Sequence, residues 1–377
     1  MSSLGFLSGF LVVVASLLFP VNSHEDNSKQ TQKHAAMFVF GDSLYDPGNN
    51  NFINVDIHFK ANRWPYGEAY FKFPTGRFCD GRIIPDFIAI KANLPLWTPY
   101  LAPGKHQFTN GANFASAASG VLSETNPGTI SLGMQVNYFK NVTSQLRQEL
   151  GQEKAKKLFM EAVYLYSTGG NDYQCFYENK TRYLAPDPEK YAQLVIGNLT
   201  NMIREIYEMG GRKFAFQNIG PMGCLPLFKG HYGLPMNECL EELSGLATLH
   251  NNAFLKAIKE LESKLRGFKY SVFDFYNSLL NVTKDPSKYG FLFADVACCG
   301  YGKYNGENCG IAPYNLCRNA SEYVYFDGAH PTERANPHFA ELFWSGEPPI
   351  TAPHNLKKLF KLTSDFSSEK YELFNDE

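Results

Sequence analysis

Short apolar runs typical of strands alternate along the chain with longer stretches of helical periodicity, and this alternation limits the possible folds more than any other feature. It predicts an α/β protein with a mainly parallel sheet. The expected strands are residues 36–40, 162–167, 213–218 and 268–276, and the expected helices are residues 143–160, 189–209, 238–265 and 332–344. The 377 residues allow two domains or one large α/β domain.

Charge and composition exclude several functional classes. The chain has 35 Lys+Arg against 37 Asp+Glu, a net charge of -2, so neither nucleic acid nor an anionic membrane surface is expected as the main partner. Hydrophobic residues make up 44% and charged residues 19%, which excludes a disordered chain. After residue 23, no stretch approaches about 18 uncharged apolar residues, so no transmembrane segment is expected.

The first residues have the features of a secretory signal peptide, predicted to span residues 1–23. Residues 10–19 form a nearly continuous apolar run that is too short to span a bilayer. Val21 and Ser23 then place small residues at the -3 and -1 positions of a cleavage site. Because the start of the segment carries no Lys or Arg, an uncleaved anchor is the alternative.

Two further features agree with a secretory compartment. Eight cysteines, an even number, favour disulfides in an oxidising environment. Five sequons predict N-glycosylation, at Asn141, Asn179, Asn198, Asn281 and Asn319. The protein is therefore expected outside the cytosol and glycosylated on several faces.

Six cysteines are the disulfide candidates, namely Cys224, Cys239, Cys298, Cys299, Cys309 and Cys317. The last four are called here the late cysteine cluster. Plausible pairs join Cys224 to Cys239 and join the late cysteine cluster within itself, with the vicinal Cys298 and Cys299 reaching different partners. The sequence leaves the connectivity open. A zinc site is the alternative, but no CxxC pair and no nearby His at ligand spacing support one, so no metal is expected.

Residues suited to nucleophilic catalysis occur at a strand end and in one late turn. The expected first strand ends in Gly41-Asp42-Ser43, which offers a serine at the sheet edge where α/β proteins place their sites. A serine nucleophile needs a base and a group that orients the base. Asp327 and His330, three residues apart, can share one face of a tight turn. The alternatives are a helix-capping serine and a solvated surface histidine.

Hydrolysis also requires donors for a developing oxyanion. Asn171, which follows the strand 162–167 and two glycines, can supply a side-chain amide. Gly120 can supply a backbone N–H. Both have ordinary alternatives, a turn asparagine and a loop glycine.

The segment from Phe38 to Asn50 resembles the first block of plant GDSL esterase/lipases, members of the SGNH hydrolase superfamily. The resemblance continues in order through residues 64–67, 74–77, 80–82, 111–116, 169–173, 220–224, 297–300 and 326–333. It covers about residues 35–362. It implies an α/β/α sandwich with a flavodoxin-like sheet, built as a single domain 35–362 between a short segment 24–34 and a polar tail 363–377.

By matching position, the resemblance implies Ser43, Asp327 and His330 as the catalytic triad. It implies an oxyanion hole formed by the backbone N–H groups of Ser43 and Gly120 and the side-chain amide of Asn171. The family's second block commonly reads Ala-Ser-Gly-Gly-Ala-Gly, whereas residues 115–120 read Ala-Ser-Ala-Ala-Ser-Gly and keep glycine only at position 120. The implied activity is hydrolysis of acyl lipids or small acyl esters without a cofactor. The implied location is the plant cell wall, apoplast or vacuole.

Two alternatives stay open. The same triad can transfer the acyl group to an acceptor other than water. A family member with weak or no activity can instead act as a binding protein, and the altered second block is the reason to consider this.

Overall fold

The computed structural model describes residues 35–362. The expected signal peptide 1–23, the segment 24–34 and the tail 363–377 lie outside the described residues. The strands are Met37–Gly41 (β1), Gly111–Asn113 (β2), Val163–Ser167 (β3), Lys213–Gln217 (β4), Lys269–Phe273 (β5), Cys299–Gly300 (β6), Asn315–Leu316 (β7) and Thr351–Pro353 (β8). The α-helices are Ile84–Lys91 (α1), Leu132–Leu150 (α2), Gln152–Glu161 (α3), Gly170–Tyr177 (α4), Pro188–Glu208 (α5), Pro226–His231 (α6), Glu241–Lys264 (α7), Phe275–Lys284 (α8), Asn336–Ser345 (α9) and Leu356–Lys361 (α10).

Six strands form the main sheet in the order β2-β1-β3-β4-β5-β8. The first five are parallel, and β8 is an antiparallel edge strand. This is the flavodoxin-like order, in which the connections change direction between β1 and β3. The predicted α/β fold with a mainly parallel sheet is confirmed, and the crevice beside the carboxyl ends of β1 and β3 is where such folds bind ligands.

Strand residues alternate between the two faces of the sheet, and helices cover both. Aromatic residues at even positions, such as Phe40, Tyr166 and Phe216, stack across β1, β3 and β4 with ring centroids about 5 Å apart and pack against α2, α3, α5 and α7. Residues at odd positions, such as Val39 and Leu165, pack against α1, α8, α9 and α10. Most of the aromatic residues on the first face therefore serve the core and not a groove.

Several boundaries differ from the predictions for local reasons. The predicted helix 143–160 is the end of α2 followed by α3, because Gly151 interrupts them at φ 80°. The strand predicted at 268–276 ends at Phe273, since the carboxylate of Asp274 accepts the N–H of Asn277 and begins α8. The short antiparallel strand β8 carries no alternating pattern that could have predicted it.

Three disulfides link six of the eight cysteines: Cys224–Cys239, Cys298–Cys317 and Cys299–Cys309. The vicinal cysteines of the late cysteine cluster thus bond to different partners. Cys79 and Cys175 are buried free thiols.

The sequons differ in accessibility. Asn141, Asn179, Asn281 and Asn319 are exposed, whereas Asn198 is half-buried and donates its side-chain amide to the carbonyl of Leu194 at 2.9 Å. Within residues 35–362, no helix combines the length and apolar character needed to cross a bilayer.

Candidate active site

Ser43 lies directly after β1, where a sharp turn takes the chain off the sheet. The turn requires Gly41, because a Cβ atom there would lie 2.4 Å from the carbonyl oxygen of Ser167 on β3. Asp42 donates its backbone N–H to that oxygen at 3.0 Å, and its carboxylate accepts the N–H of Leu44 at 3.1 Å. Burial raises the pKa of Asp42 to about 7. Asp42 therefore shapes the turn that presents Ser43.

The three residues predicted as a triad form one hydrogen-bonded chain. His330 Nε2 lies 2.7 Å from Ser43 Oγ, and His330 Nδ1 lies 2.6 Å from Asp327 Oδ1. Asp327 Oδ1 also accepts the backbone N–H groups of Ala329 and His330, each at 3.0 Å, which fixes the turn that carries both side chains. An imidazole that donates Nδ1–H to a carboxylate presents the Nε2 lone pair to the serine hydroxyl.

Tyr66 is a fourth member of this chain that the sequence analysis did not include. Its hydroxyl donates to Asp327 Oδ2 at 2.8 Å, and its buried ring packs edge-on against Phe78 and Phe326. Phe78 in turn packs on the His330 imidazole, with centroids 4.8 Å apart. Burial alone would raise the pKa of Asp327, but the charge of His330 and the hydrogen bonds outweigh burial and lower it.

Asn171 lies in the first turn of α4, directly after β3. Its Nδ2 donates to the carbonyl of Ser119 at 2.9 Å. A side-chain amide carries two N–H donors, so the second one is available to another acceptor. Asn171 and Ser43 line the same two cavities. The predicted side-chain donor therefore stands beside the serine.

Gly120 is packed away from these cavities. A Cβ atom on it would lie 2.6 Å from Asp172 Oδ1 and from the Thr125 side chain, so close packing requires glycine here. Ala118 lines the wider of the two cavities that contain Ser43, and Gly120 lines neither. Ala118 has φ 62°, a conformation that favours glycine. The second block thus reaches the cavity at Ala118, not at Gly120.

Two buried carboxylates accept backbone N–H groups in and directly after the second block, residues 115–120. Asp46 accepts the N–H of Ala117 at 2.9 Å. Asp172 accepts the N–H groups of Val121 at 2.9 Å and Leu122 at 3.0 Å. Desolvation raises the pKa of each carboxyl to about 6, against the lowering effect of these hydrogen bonds. The sequence analysis missed both roles, because the partners lie 50 or more residues away along the chain.

Gln135 on α2 joins the end of β1 to the same block. Its Oε1 accepts the N–H of Gly41 at 2.8 Å, and its Nε2 donates to the Gly41 carbonyl at 2.9 Å. The same Nε2 also donates to Ser119 Oγ at 3.2 Å. One buried amide thereby fixes the turn before Ser43 relative to the loop that contains Ala118.

Two cavities meet at Ser43. The first, called here the apolar cavity, has a volume of about 100 Å³, and its apolar wall comprises Leu44, Ile219, Met222, Phe228, Phe275 and Leu279. The second, called here the polar cavity because it is the more polar of the two, has a volume of about 420 Å³. Its lining combines apolar residues such as Phe59 and Phe78 with the polar residues His58, Arg63, Gln174, His231, Glu307 and Asn308. The site therefore offers unlike surroundings to the two parts of a substrate.

A Ser–His–Asp chain at the carboxyl edge of a parallel sheet, with an amide donor beside the serine, is the arrangement of a serine ester hydrolase. The family model GDSL-like Lipase/Acylhydrolase matches residues 37–343. The chain belongs to this family of carboxylic ester hydrolases, and the resemblance drawn from its sequence blocks is confirmed.

Curated relatives from plants match nearly the whole chain. A GDSL lipase of Tanacetum cinerariifolium is 48% identical and covers 94% of this chain and 94% of its own length. GDSL esterase/lipase 4 of Arabidopsis thaliana is 44% identical over 94% of this chain and 97% of its own. GDSL esterase/lipase 3 of Arabidopsis thaliana is 45% identical over 89% of this chain and 93% of its own.

Proposed function

We propose that the protein cleaves carboxylic esters of acyl lipids or small acyl esters through an acyl-serine intermediate on Ser43. The observation that carries the proposal is the pair of contacts of His330, 2.7 Å to Ser43 Oγ and 2.6 Å to Asp327 Oδ1. A base in contact with the serine and oriented by a carboxylate is what activation of a hydroxyl requires.

The reaction has two steps. His330 takes the proton of Ser43 as Oγ forms a bond to the ester carbonyl carbon. The tetrahedral intermediate then collapses, the carbon–oxygen bond to the alcohol breaks, and His330 gives the proton to the leaving oxygen. Water attacks the acyl-serine, transfers a proton to His330 and releases the acid, while the proton returns to Ser43. The chemistry uses side chains and backbone amides of this chain throughout.

Three donors are proposed for the oxyanion: the N–H of Ser43, the free side-chain N–H of Asn171, and one backbone N–H of the second block. Sequence matching assigned the last donor to Gly120. Ala118 is the stronger candidate, because it lines the polar cavity beside Ser43 and Gly120 does not. A backbone donor needs no particular side chain, so alanine at this position is compatible with the role.

Secretion with N-glycosylation is also part of the proposal. Three disulfides support an oxidising compartment, and four exposed sequons are accessible to glycosylation. An extracellular location such as the cell wall or apoplast, or a vacuole, agrees with these features.

The test is to express the full chain in a eukaryotic secretory host and to assay p-nitrophenyl esters from acetate to palmitate beside Ser43→Ala. We expect kcat to fall by about 10⁴-fold or more in the variant, because the nucleophile is lost. A folded wild type that is no faster than Ser43→Ala on every ester would contradict the proposal.

In that event, two further assays separate the alternatives. Acyl transfer is indicated if ester consumption begins only when a hydroxylated acceptor is added, and the polar cavity beside His330 has room for one. Binding of an ester without turnover in either assay indicates the binding-protein alternative.

A further inference from the structure

We infer that the two cavities divide the substrate between them, so that the enzyme prefers esters of a short acyl chain with a polar, uncharged alcohol. The inference rests on the proposed ester hydrolysis and names the substrate class of the same site. Six residues line both cavities: Ser43, Asn171, Gln174, Leu227, Ala329 and His330. An ester carbonyl at Ser43 Oγ therefore faces both of them.

His330 determines which part of the ester enters which cavity. It must deliver a proton to the leaving alcohol, so the alcohol lies on the histidine side of the carbonyl. The residues that support His330, namely Asp327, Tyr66 and Phe78, line the polar cavity and not the apolar cavity. Because His330 itself lines both cavities, it is these supporting residues that favour the polar cavity for the alcohol, which leaves the apolar cavity for the acyl chain.

The apolar cavity suits a short hydrocarbon chain. Ile219 follows β4, and Phe275 and Leu279 on α8 are buried with it in the walls. Two polar side chains of this lining are already engaged: Gln217 accepts from Tyr45 Oη at 3.1 Å, and Asn218 donates to Asp274 at 3.0 Å. The volume of about 100 Å³ is smaller than the ~150 Å³ that admits a benzene ring. We therefore expect a preference for short acyl chains, with butyryl esters as the test case.

The polar cavity suits hydroxyl groups more than charged groups. Arg63 does not offer an anion site there, because its guanidinium donates to the backbone carbonyls of Ile57, Lys60 and Cys309. The two carboxylates at the rim each contact a histidine, with His231 Nδ1 3.3 Å from Glu307 and His58 Nδ1 2.6 Å from Asp56. The amide of Asn308 is a neutral donor and acceptor that matches an alcohol with further hydroxyl groups, and Gln174, whose Nε2 donates to Glu178 at 2.9 Å, keeps its amide oxygen as an acceptor.

Substitutions in the apolar cavity test the acyl part. A Cβ atom at Gly170 would lie 3.5 Å from Met222 Sδ and 3.9 Å from Ile219, so Gly170→Ala adds a methyl group inside this cavity without a clash. We expect kcat/KM for p-nitrophenyl butyrate to fall at least about tenfold relative to acetate, because one methylene in an apolar pocket is worth about 10–200-fold. Met222→Ala should instead move the optimum to longer chains.

Gly245→Ala is the matched control, since the added Cβ on α7 contacts nothing within 4 Å, and its chain-length profile should equal that of the wild type.

The second arm keeps the butyryl group and varies the alcohol. We expect kcat/KM for glyceryl monobutyrate to exceed that for butyl butyrate at least about tenfold, in line with the worth of a matched hydroxyl group.

Failure of this inference is distinct from failure of the proposed function. Two outcomes overturn the short-chain assignment and retain ester hydrolysis, provided that activity vanishes in Ser43→Ala. In the first, activity peaks at acyl chains of ten carbons or more. In the second, Gly170→Ala and Met222→Ala both keep the wild-type chain-length profile. Equal rates on the two butyrates overturn the alcohol assignment. A wild type that equals Ser43→Ala on every ester overturns both the inference and the proposed function.

Discussion

The two halves of the candidate site are held in place by different means. Ser43 and Asn171 follow β1 and β3, which pair in register over five residues in the middle of the main sheet. Asp327 and His330 belong to an irregular segment between β7 and α9, next to the late cysteine cluster. The half with Ser43 and Asn171, called here the nucleophile half, therefore depends on the sheet. The half with Asp327 and His330, called here the base half, depends on cross-links and isolated buried contacts.

The contacts around Asp327 show how the base half is held. Cys298 and Cys299 donate their N–H groups to the carbonyls of Tyr325 and Phe326 at 3.0 and 2.7 Å, so the disulfide-bonded segment lies beside the residues that precede Asp327. The Gly328 carbonyl then accepts the N–H of Leu227 at 2.8 Å. Because these contacts lie outside the main sheet, loss of any one should disturb His330 more than a similar loss disturbs Ser43.

The largest expected effect comes from Asp327→Asn. Without the carboxylate, the imidazole loses the partner that selects its tautomer, and kcat for a p-nitrophenyl ester should fall by about 10⁴-fold. Circular dichroism should remain unchanged. Asp187→Asn, on the exposed end of α5, is the matched control and should keep wild-type activity. An Asp327→Asn variant with more than a tenth of wild-type activity would show that the base half is not needed.

Removal of the Cys299–Cys309 disulfide tests the dependence on cross-links directly. The double variant Cys299→Ser/Cys309→Ser should lose about 2–4 kcal/mol of unfolding free energy, measured by urea denaturation, and should also lose kcat. Cys224→Ser/Cys239→Ser removes a loop closure of similar length outside the late cysteine cluster and should lose similar stability with a smaller loss of kcat for acetate. Equal kcat losses in the two double variants would contradict the comparison.

The sequence predicted the nucleophile half because its geometry follows from strand order alone. Ser43 and Asn171 each end a recognisable strand, and parallel strands bring their carboxyl ends to one edge. Asp327 and His330 were also predictable, since three residues of spacing place both in one turn. In each case the information is local to a short segment.

The supporting residues were not predictable in the same way. Tyr66 contacts Asp327 across 261 positions, and Gln135 contacts Gly41 across 94. Position 120 was favoured because it alone retains a glycine, but the space that Gly120 fills lies against Thr125 and Asp172. A pattern of residue types cannot separate a glycine required for packing from one required at a cavity.

Tyr66→Phe sharpens the comparison, because it removes a single hydrogen bond from the base half. We expect kcat/KM to fall by about 10–150-fold, as the hydrogen bond to a buried carboxylate is worth about 1.5–3 kcal/mol. Tyr183→Phe, on an exposed ring, is the control. A Tyr66→Phe variant with wild-type kcat/KM would show that the base half does not depend on this hydrogen bond.

The smallest expected effect concerns the pKa shifts of buried carboxyl groups, which have opposite directions in the two halves. Asp172, in the nucleophile half, has its pKa raised by burial from 3.8 to about 6, whereas the pKa of Asp327 is lowered. A carboxyl group whose pKa is raised on folding stabilises the folded state. This contribution is fully present below pH 3.8, the ordinary pKa of the group, and is lost as the pH rises through about 6. The contribution of Asp172 to the unfolding free energy should therefore be larger at pH 5 than at pH 7.

Asp172→Asn should reduce that difference between pH 5 and pH 7 by about 1 kcal/mol in urea denaturation, because the pKa shift of this one group is removed. Asp187→Asn should leave the difference unchanged. If Asp172→Asn also leaves it unchanged, Asp172 is ionised in the folded protein throughout this range. Its hydrogen bonds to Val121, Leu122 and Thr125 would then hold a charged carboxylate, and the two halves of the site would be stabilised by the same electrostatics.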